Sequence, residues 1–279
     1  MIELLVVIGI VGLLLGLLFP TMRTVRRSGD LARELSAARQ LMVAYRSYAY
    51  DHRGVLMPGY YYLNGTLPAF DKAGDPIEGI GVDGAGYPWR LAPYLDYDLQ
   101  GLYLDKRLVR EFTNNEGRYY TYLVGVLPSL GINGTFVGGD TRSFAFQDQY
   151  TQLYGKFYAT RLSEVKRPTD LIVFASARTN DAQTTAFVPG RDLVEGHFCV
   201  LPPYQVGDDE RDWADRYDPE CADPCSTADW GHVSLRHAFR EAAIGFFDGH
   251  AGTLDETEIQ DMRHWADRAD APDWSVRPP

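Results

Sequence analysis

Four side chains near the C-terminus carry the most chemistry in this chain: His232, His237, Asp248 and His250. Two imidazoles and a carboxylate are a transition-metal ligand set of the kind that holds zinc, iron or manganese. If residues 233–247 fold as a hairpin, histidines at one end and Asp248-Gly249-His250 at the other would converge. The plainer reading is a tight Asp-Gly turn, with the histidines bonding to nearby backbone. A second cluster is acidic: Asp208, Asp209, Glu210, Asp212, Asp215, Asp218, Glu220 and Asp223. Oxygen-rich loops hold calcium, and Asp208, Asp209, Asp212, Asp215 and Asp218 are the candidate ligands, although their spacing matches no EF-hand. Trp213 and Tyr217 in the same loop indicate that it packs against the body of the protein. Otherwise the cluster is a solvated loop.

Cys199, Cys221 and Cys225 are the only cysteines. In an oxidising compartment they allow one disulfide and one thiol, with Cys221 and Cys225 the nearest pair in sequence. With His232 and His237 they do not make the spacing of a zinc finger. No nucleophile elbow, phosphate-binding loop, His-Glu-x-x-His or dinucleotide fingerprint is present. Charge is uneven. Residues 1–53 hold seven arginines and four acids, a net +3, so the remainder carries −14 behind the total of −11. An acidic body argues against nucleic acid as a partner. Aromatic residues make up 13% of the chain, including 18 tyrosines, which suits either a β-rich head or contact with carbohydrate.

Positioning these groups requires a scaffold. Leu31, Leu35, Ala38, Met42, Tyr45 and Ala49 follow the spacing of one face of an amphipathic helix, with Arg33, Glu34, Arg39 and Arg46 off that stripe. Gly54 and Pro58-Gly59 end it. Eight glycines and three prolines between Gly54 and Gly86 predict an irregular connection. A short helix is expected at Tyr87–Leu95, and strands at Tyr119–Val126 and Leu171–Ala175. Pro128–Gly139 reads as loop. Val233–Arg236 and Ala242–Phe247 read as a hairpin closed by Asp248-Gly249.

Upstream of the amphipathic stripe, Leu4 to Phe19 is an uninterrupted apolar run with Glu3 just before it. Its length is near the lower limit for a membrane-crossing helix, and a carboxylate at its entry calls for a partner. The flank is acidic and Phe19-Pro20-Thr21-Met22-Arg23 offers no small-residue cleavage site, which argues against a secretory signal. The segment Ile2-Glu3-Leu4-Leu5-Val6-Val7-Ile8, followed by a Gly- and Leu-rich helix and Pro20, resembles the N-terminus of type IV pilins and type II secretion pseudopilins. Arg167–Ser176 and Arg236–His250, with Pro128–Gly134, resemble segments of the large prepilin-like proteins of planctomycetes. Those end in a histidine followed at a fixed interval by Asp-Gly.

The resemblance implies an α+β fold: a long N-terminal pilin-like helix over 1–53, with 1–20 transmembrane and 21–53 amphipathic. That helix would pack on a globular head, 54–279, built on an antiparallel sheet. It implies a structural filament subunit and not an enzyme. Glu3 would neutralise the N-terminal amine of a neighbouring subunit, and Pro20 would kink the helix. Implied partners are copies of itself or related pilins, prepilin peptidase and the secretion or pilus machinery. The implied location is the inner membrane with the head in the periplasm, then a surface or periplasmic filament. The family carries a short leader ending in Gly and then an aromatic residue, so a processed N-terminus about two residues upstream of Met1 is expected. The competing expectation is a membrane-anchored head with a metal-dependent enzymatic or glycan-binding role.

Overall fold

The computed structural model describes residues 2–61, 70–77, 85–105, 108–110, 118–141, 146–181, 188, 192–207, 210–221 and 227–278. Among these it does not describe the side chains of 2–26, 118–119 and 228. The first element, α1, is a single helix, Ile2–Asp51, that continues through Pro20. At 1.5 Å per residue its 50 residues run about 75 Å. A folded body the size of residues 54–279 is only roughly 45 Å across. Among the described residues no helix is long and apolar enough to cross a membrane. The side chains of Leu4–Phe19, where the sequence places the apolar run, lie outside them.

The C-terminal part of α1 lies on a four-stranded antiparallel sheet of order β1-β2-β3-β4: Leu130–Ile132, Ile172–Ser176, Glu241–Phe246 and Ala251–Asp255. Ala38, Met42, Tyr45 and Ala49 are buried as their spacing predicts, and Ala37, Leu41 and Ala44 widen the face. The helix crosses β3 at Gly245. A Cβ there would stand 3.2 Å from the Met42 side chain and 3.5 Å from the Ala38 carbonyl oxygen. Tyr45 fixes the same contact from above, its ring edge-on to Phe174 and its hydroxyl donating to the Met57 carbonyl at 3.1 Å. Period-two alternation sends Ala242, Ile244 and Phe246 to the opposite face, into a second core with Ile172, Ala175, Trp230 and Trp265. A register shift between Ile172 and Phe174 places both Val173 and Phe174 in the core under α1.

Several expectations are corrected. Residues 118–126 form a helix, α3 (Arg118–Val126), where a strand was expected. Its aromatic and β-branched content suggests a strand, but Leu123, Val124 and Leu127 are buried at helical spacing. The short helix at Tyr87 is present as α2, Tyr87–Leu91, continuing as a 3₁₀ turn over Ala92–Leu95. A further helix, α4, spans Asp148–Tyr154. The expected loop at 128–139 contains β1, where Gly131 admits the Cys199 backbone: a Cβ would meet its carbonyl carbon at 2.7 Å. The hairpin pairs β3 with β4, Glu241 opposite Asp255 and Gly245 opposite Ala251. Asp248-Gly249 is therefore the turn between these two strands. Val233 instead bridges to Ala177 at the end of β2.

Candidate functional site

Glu34 was placed on the polar side of α1 by its charge, yet it is fully buried. The apolar face spans 37, 38, 41, 42, 44, 45 and 49, and Glu34 stands one turn ahead of Ala37 and Ala38 in the same face. A buried carboxylate must be paired and hydrogen-bonded. Glu34 meets that condition on both oxygens. Arg236 grips it in a fork, Nη2 donating to Oε1 at 2.5 Å and Nε to Oε2 at 3.1 Å. Ser176 of β2 donates to Oε1 at 3.0 Å, and His237 Nε2 lies 2.5 Å from Oε2.

The guanidinium is equally occupied. Arg236 Nη1 reaches Glu195 Oε2 at 2.5 Å and the Ala177 carbonyl at 2.9 Å, and Nη2 also reaches the Ser129 carbonyl at 2.5 Å. Ser234 donates to the same Glu195 oxygen at 2.7 Å. One ion-pair network thus ties α1 to β2, to the segment before β1 and to the approach to β3. Burial alone would raise the Glu34 carboxyl, but the Arg236 charge and the bonds from His237 and Arg236 outweigh it and hold it below its ordinary 4.5. Burial alone would lower Arg236, and the charges of Glu34 and Glu195 turn this into a rise.

The other end of β3 holds α1 a second time. Arg46 Nη1 donates to the Asp248 carbonyl in a short contact. Glu34 and Arg46 are twelve residues apart on one helix, about 18 Å. The segment Arg236–His250 therefore clamps α1 at both ends of a strand lying along it. That geometry also disperses the candidate metal ligands. His237 is committed to Glu34 at one end of β3. Asp248 and His250 pair with each other at the far end, 2.6 Å apart, with the His250 ring stacked 4.3 Å from Phe246. His232 stacks on His197 at 3.8 Å, its Nδ1 lying 3.2 Å from the Arg178 carbonyl oxygen. The four residues do not meet. Among the described residues no group of three histidines, cysteines or acids could hold a metal ion.

The acidic cluster is only partly described, since Asp208 and Asp209 lie outside the described residues. Asp212 Oδ2 accepts the Gln205 amide at 3.0 Å, Asp218 Oδ1 accepts the Glu220 amide at 2.9 Å, and Asp215 is exposed. Trp213 and Tyr217 are buried, so the loop packs as expected, with Tyr217 under the Arg178 guanidinium at 4.2 Å. Cys221 is disulfide-bonded and Cys199 is a buried free thiol; Cys225 lies outside the described residues. The side chains of Glu3 and Pro20 lie outside them as well. Compared with protein-family models, curated proteins and solved structures, the chain matches none.

Proposed function

We propose that the protein is a filament-forming structural subunit of the type IV pilus or type II secretion pseudopilus kind, assembling through its N-terminal helix. The observation that carries this reading is α1: one unbroken helix, Ile2–Asp51, whose C-terminal half is clamped into the head at Glu34 and Arg46. Its N-terminal half bears the apolar run Leu4–Phe19. A helix held this way moves with its head as one body, as a subunit laid down in a helical array requires. In the array, apolar helices would pack side by side and exclude lipid and water together. Glu3 would neutralise the amine of a neighbour, setting the axial position of each subunit. Before assembly, the apolar run would hold the subunit in the inner membrane with its head in the periplasm, where prepilin peptidase would process it.

Glu3→Ala tests the assembly role. The expected result is a folded head with native tryptophan fluorescence and no filaments by electron microscopy of sheared cell-surface and envelope fractions. Filaments of normal length and abundance from Glu3→Ala would overturn the proposal.

A further inference from the structure

Arg178, just beyond β2, is 1% exposed, and its guanidinium forms no ion pair among the described residues. Its Nε and Nη1 are sealed from solvent and donate no hydrogen bond. A buried charge left in this state is costly unless something compensates it. The backbone holds the side chain where it is. The Arg178 amide donates to the His232 carbonyl at 2.8 Å, and Thr179 and Val194 exchange bonds of 2.9 and 2.8 Å.

The surroundings compensate the charge only in part. Tyr217 covers one face of the guanidinium, its ring centroid 4.2 Å from Cζ, and its own hydroxyl is pinned by the Leu235 amide at 2.8 Å. A cation over a ring recovers a fraction of what burying a charge costs. The carboxylates whose charge reaches Arg178 are engaged elsewhere: Glu195 Oε2 with Arg236 and Ser234, and Asp218 Oδ1 with the Glu220 amide. The Arg236 charge works against them. Burial outweighs the help from Tyr217, Glu195 and Asp218, so the guanidinium holds its proton less tightly than an ordinary arginine.

The same tyrosine ring meets another donor without an acceptor. Trp230 packs edge-on to Tyr217 at 5.3 Å, is 2% exposed, and its Nε1 is buried with no partner. The unsatisfied atoms flanking Tyr217 are therefore nitrogens that donate, and what completes them is an acceptor. A water molecule would accept but bring no charge to the guanidinium. An anion does both. Glu195 and Asp218 set its valence, because they repel a dianion more strongly than a monoanion. The burial of both donors sets its size, since the ion must be enclosed with them.

We propose that Arg178 is the receptor for one enclosed monovalent anion of chloride size, with Tyr217 closing one face of the guanidinium and Trp230 Nε1 as a second donor. The assignment rests on the head alone and stands apart from the filament reading.

The test is urea unfolding of the full chain in neutral detergent, followed by tryptophan fluorescence. Chloride is raised from about 1 to about 100 mM at fixed ionic strength, with gluconate, too large to be enclosed, making up the balance. An ion that binds only the folded chain with a Kd of about 10 mM should raise the folding equilibrium constant about tenfold over that range. Arg178→Met, of similar length and without charge, should lose the chloride dependence. Its response to sulfate gives the general salting effect, and with that subtracted sulfate should stabilise the parent less than chloride does. Trp230→Phe keeps an aromatic ring in the core and removes the N–H; a site about tenfold weaker would cut the chloride gain to about twofold. Three outcomes overturn the proposal: a parent midpoint that is the same in chloride and gluconate; Arg178→Met retaining the chloride dependence of the parent; or sulfate matching chloride after the subtraction.

Discussion

Glu34→Ala is the most informative single change. It removes a carboxylate with no solvent exposure from a guanidinium that is 11% exposed. It also leaves the His237 ring without its Glu34 acceptor and the Ser176 hydroxyl with only the Ala243 carbonyl, at 3.4 Å. Stripping one partner from a buried ion pair costs about 3–5 kcal/mol, because the remaining charge stays buried and uncompensated. Arg236 would keep Glu195, whose side chain is 31% exposed, so the lower part of that range is expected. With a urea m-value of about 2.5 kcal/mol/M, the unfolding midpoint should fall by about 1–2 M. Tryptophan fluorescence reports it directly, since Trp230 and Trp265 sit in the core beneath β3.

The companion variant Glu34→Met with Arg236→Met should recover about half the loss, since paired removal leaves no stranded charge. Recovery stays partial because the Ala177 and Ser129 carbonyls lose a donor. Ser129 keeps the Ala177 amide at 2.8 Å, and Glu195 keeps Ser234 at 2.7 Å. A cost below about 1 kcal/mol for Glu34→Ala, the level of a surface ion pair, would refute the claim that this network fastens α1 to the head.

Four further outcomes are expected. Glu34 titrates below its ordinary 4.5 when folded, so its contribution is present above that pH. As pH falls through it, the unfolded chain binds a proton first and that stability is lost; acid unfolding of Glu34→Gln should therefore be less steep than that of the parent. Phe239 is 90% exposed and has φ of 62°, so Phe239→Asn should stabilise by about 0.5–1 kcal/mol in thermal melts by relieving a left-handed backbone at no packing loss. Gly138 has φ of 79°, and a Cβ would stand 2.1 Å from the Met57 carbonyl oxygen, so Gly138→Ala should cost about 2–4 kcal/mol in the same assay. His250→Ala should change stability by under about 1 kcal/mol and leave zinc uptake by the full chain unchanged, since among the described residues the His250 ring bonds only Asp248 and stacks on Phe246; stoichiometric zinc lost in this variant would contradict the dispersal of the histidines.

Local signals gave the long helix, the Tyr87 helix and the 172–176 strand, because each is specified by nearby residues: periodicity, a proline, a β-branched run. The hairpin was half legible. Asp248-Gly249 is the turn, but the segment after it supplies the second strand, and Ala251–Asp255 carries only Thr253 as a β-branched residue to mark it. Tyr119–Val126 was misread because aromatic side chains fit either a pleated sheet or a helix face, and only the burial of Leu123, Val124 and Leu127 separates the two. The clamp was missed for a different reason. His237 stood out as candidate chemistry and Arg236 only as a segment end, and the partner they share is about two hundred residues upstream. Charge was taken to mean solvent exposure at Glu34. A carboxylate in the 34-38-41-45 row of an otherwise apolar face was the available clue.

The choice of an ion pair for this junction follows from what surrounds it. The face of α1 beneath Arg236 is rich in alanine, with Ala37, Ala38, Ala44 and Ala49 buried. Small, similar side chains pack almost as well when a helix slides by one turn. Met42 against Gly245 and Tyr45 against Phe174 mark one alignment, but the alanines around them resist a shifted one only weakly. Glu34 removes the ambiguity. A one-turn slip in one direction presents Ala38 to Arg236, leaving a buried guanidinium without a carboxylate. A slip in the other presents Asp30, whose carboxylate is one methylene shorter and out of reach of both Arg236 and His237. We infer that the pair sets register more than it adds stability, a role buried polar groups play in coiled coils. The Met/Met variant separates the two effects. If register is the function, cysteine pairs placed across α1 and β3 should cross-link in one alignment in the parent and in two in the variant. A single alignment in both would assign the register to Gly245 and Tyr45 instead.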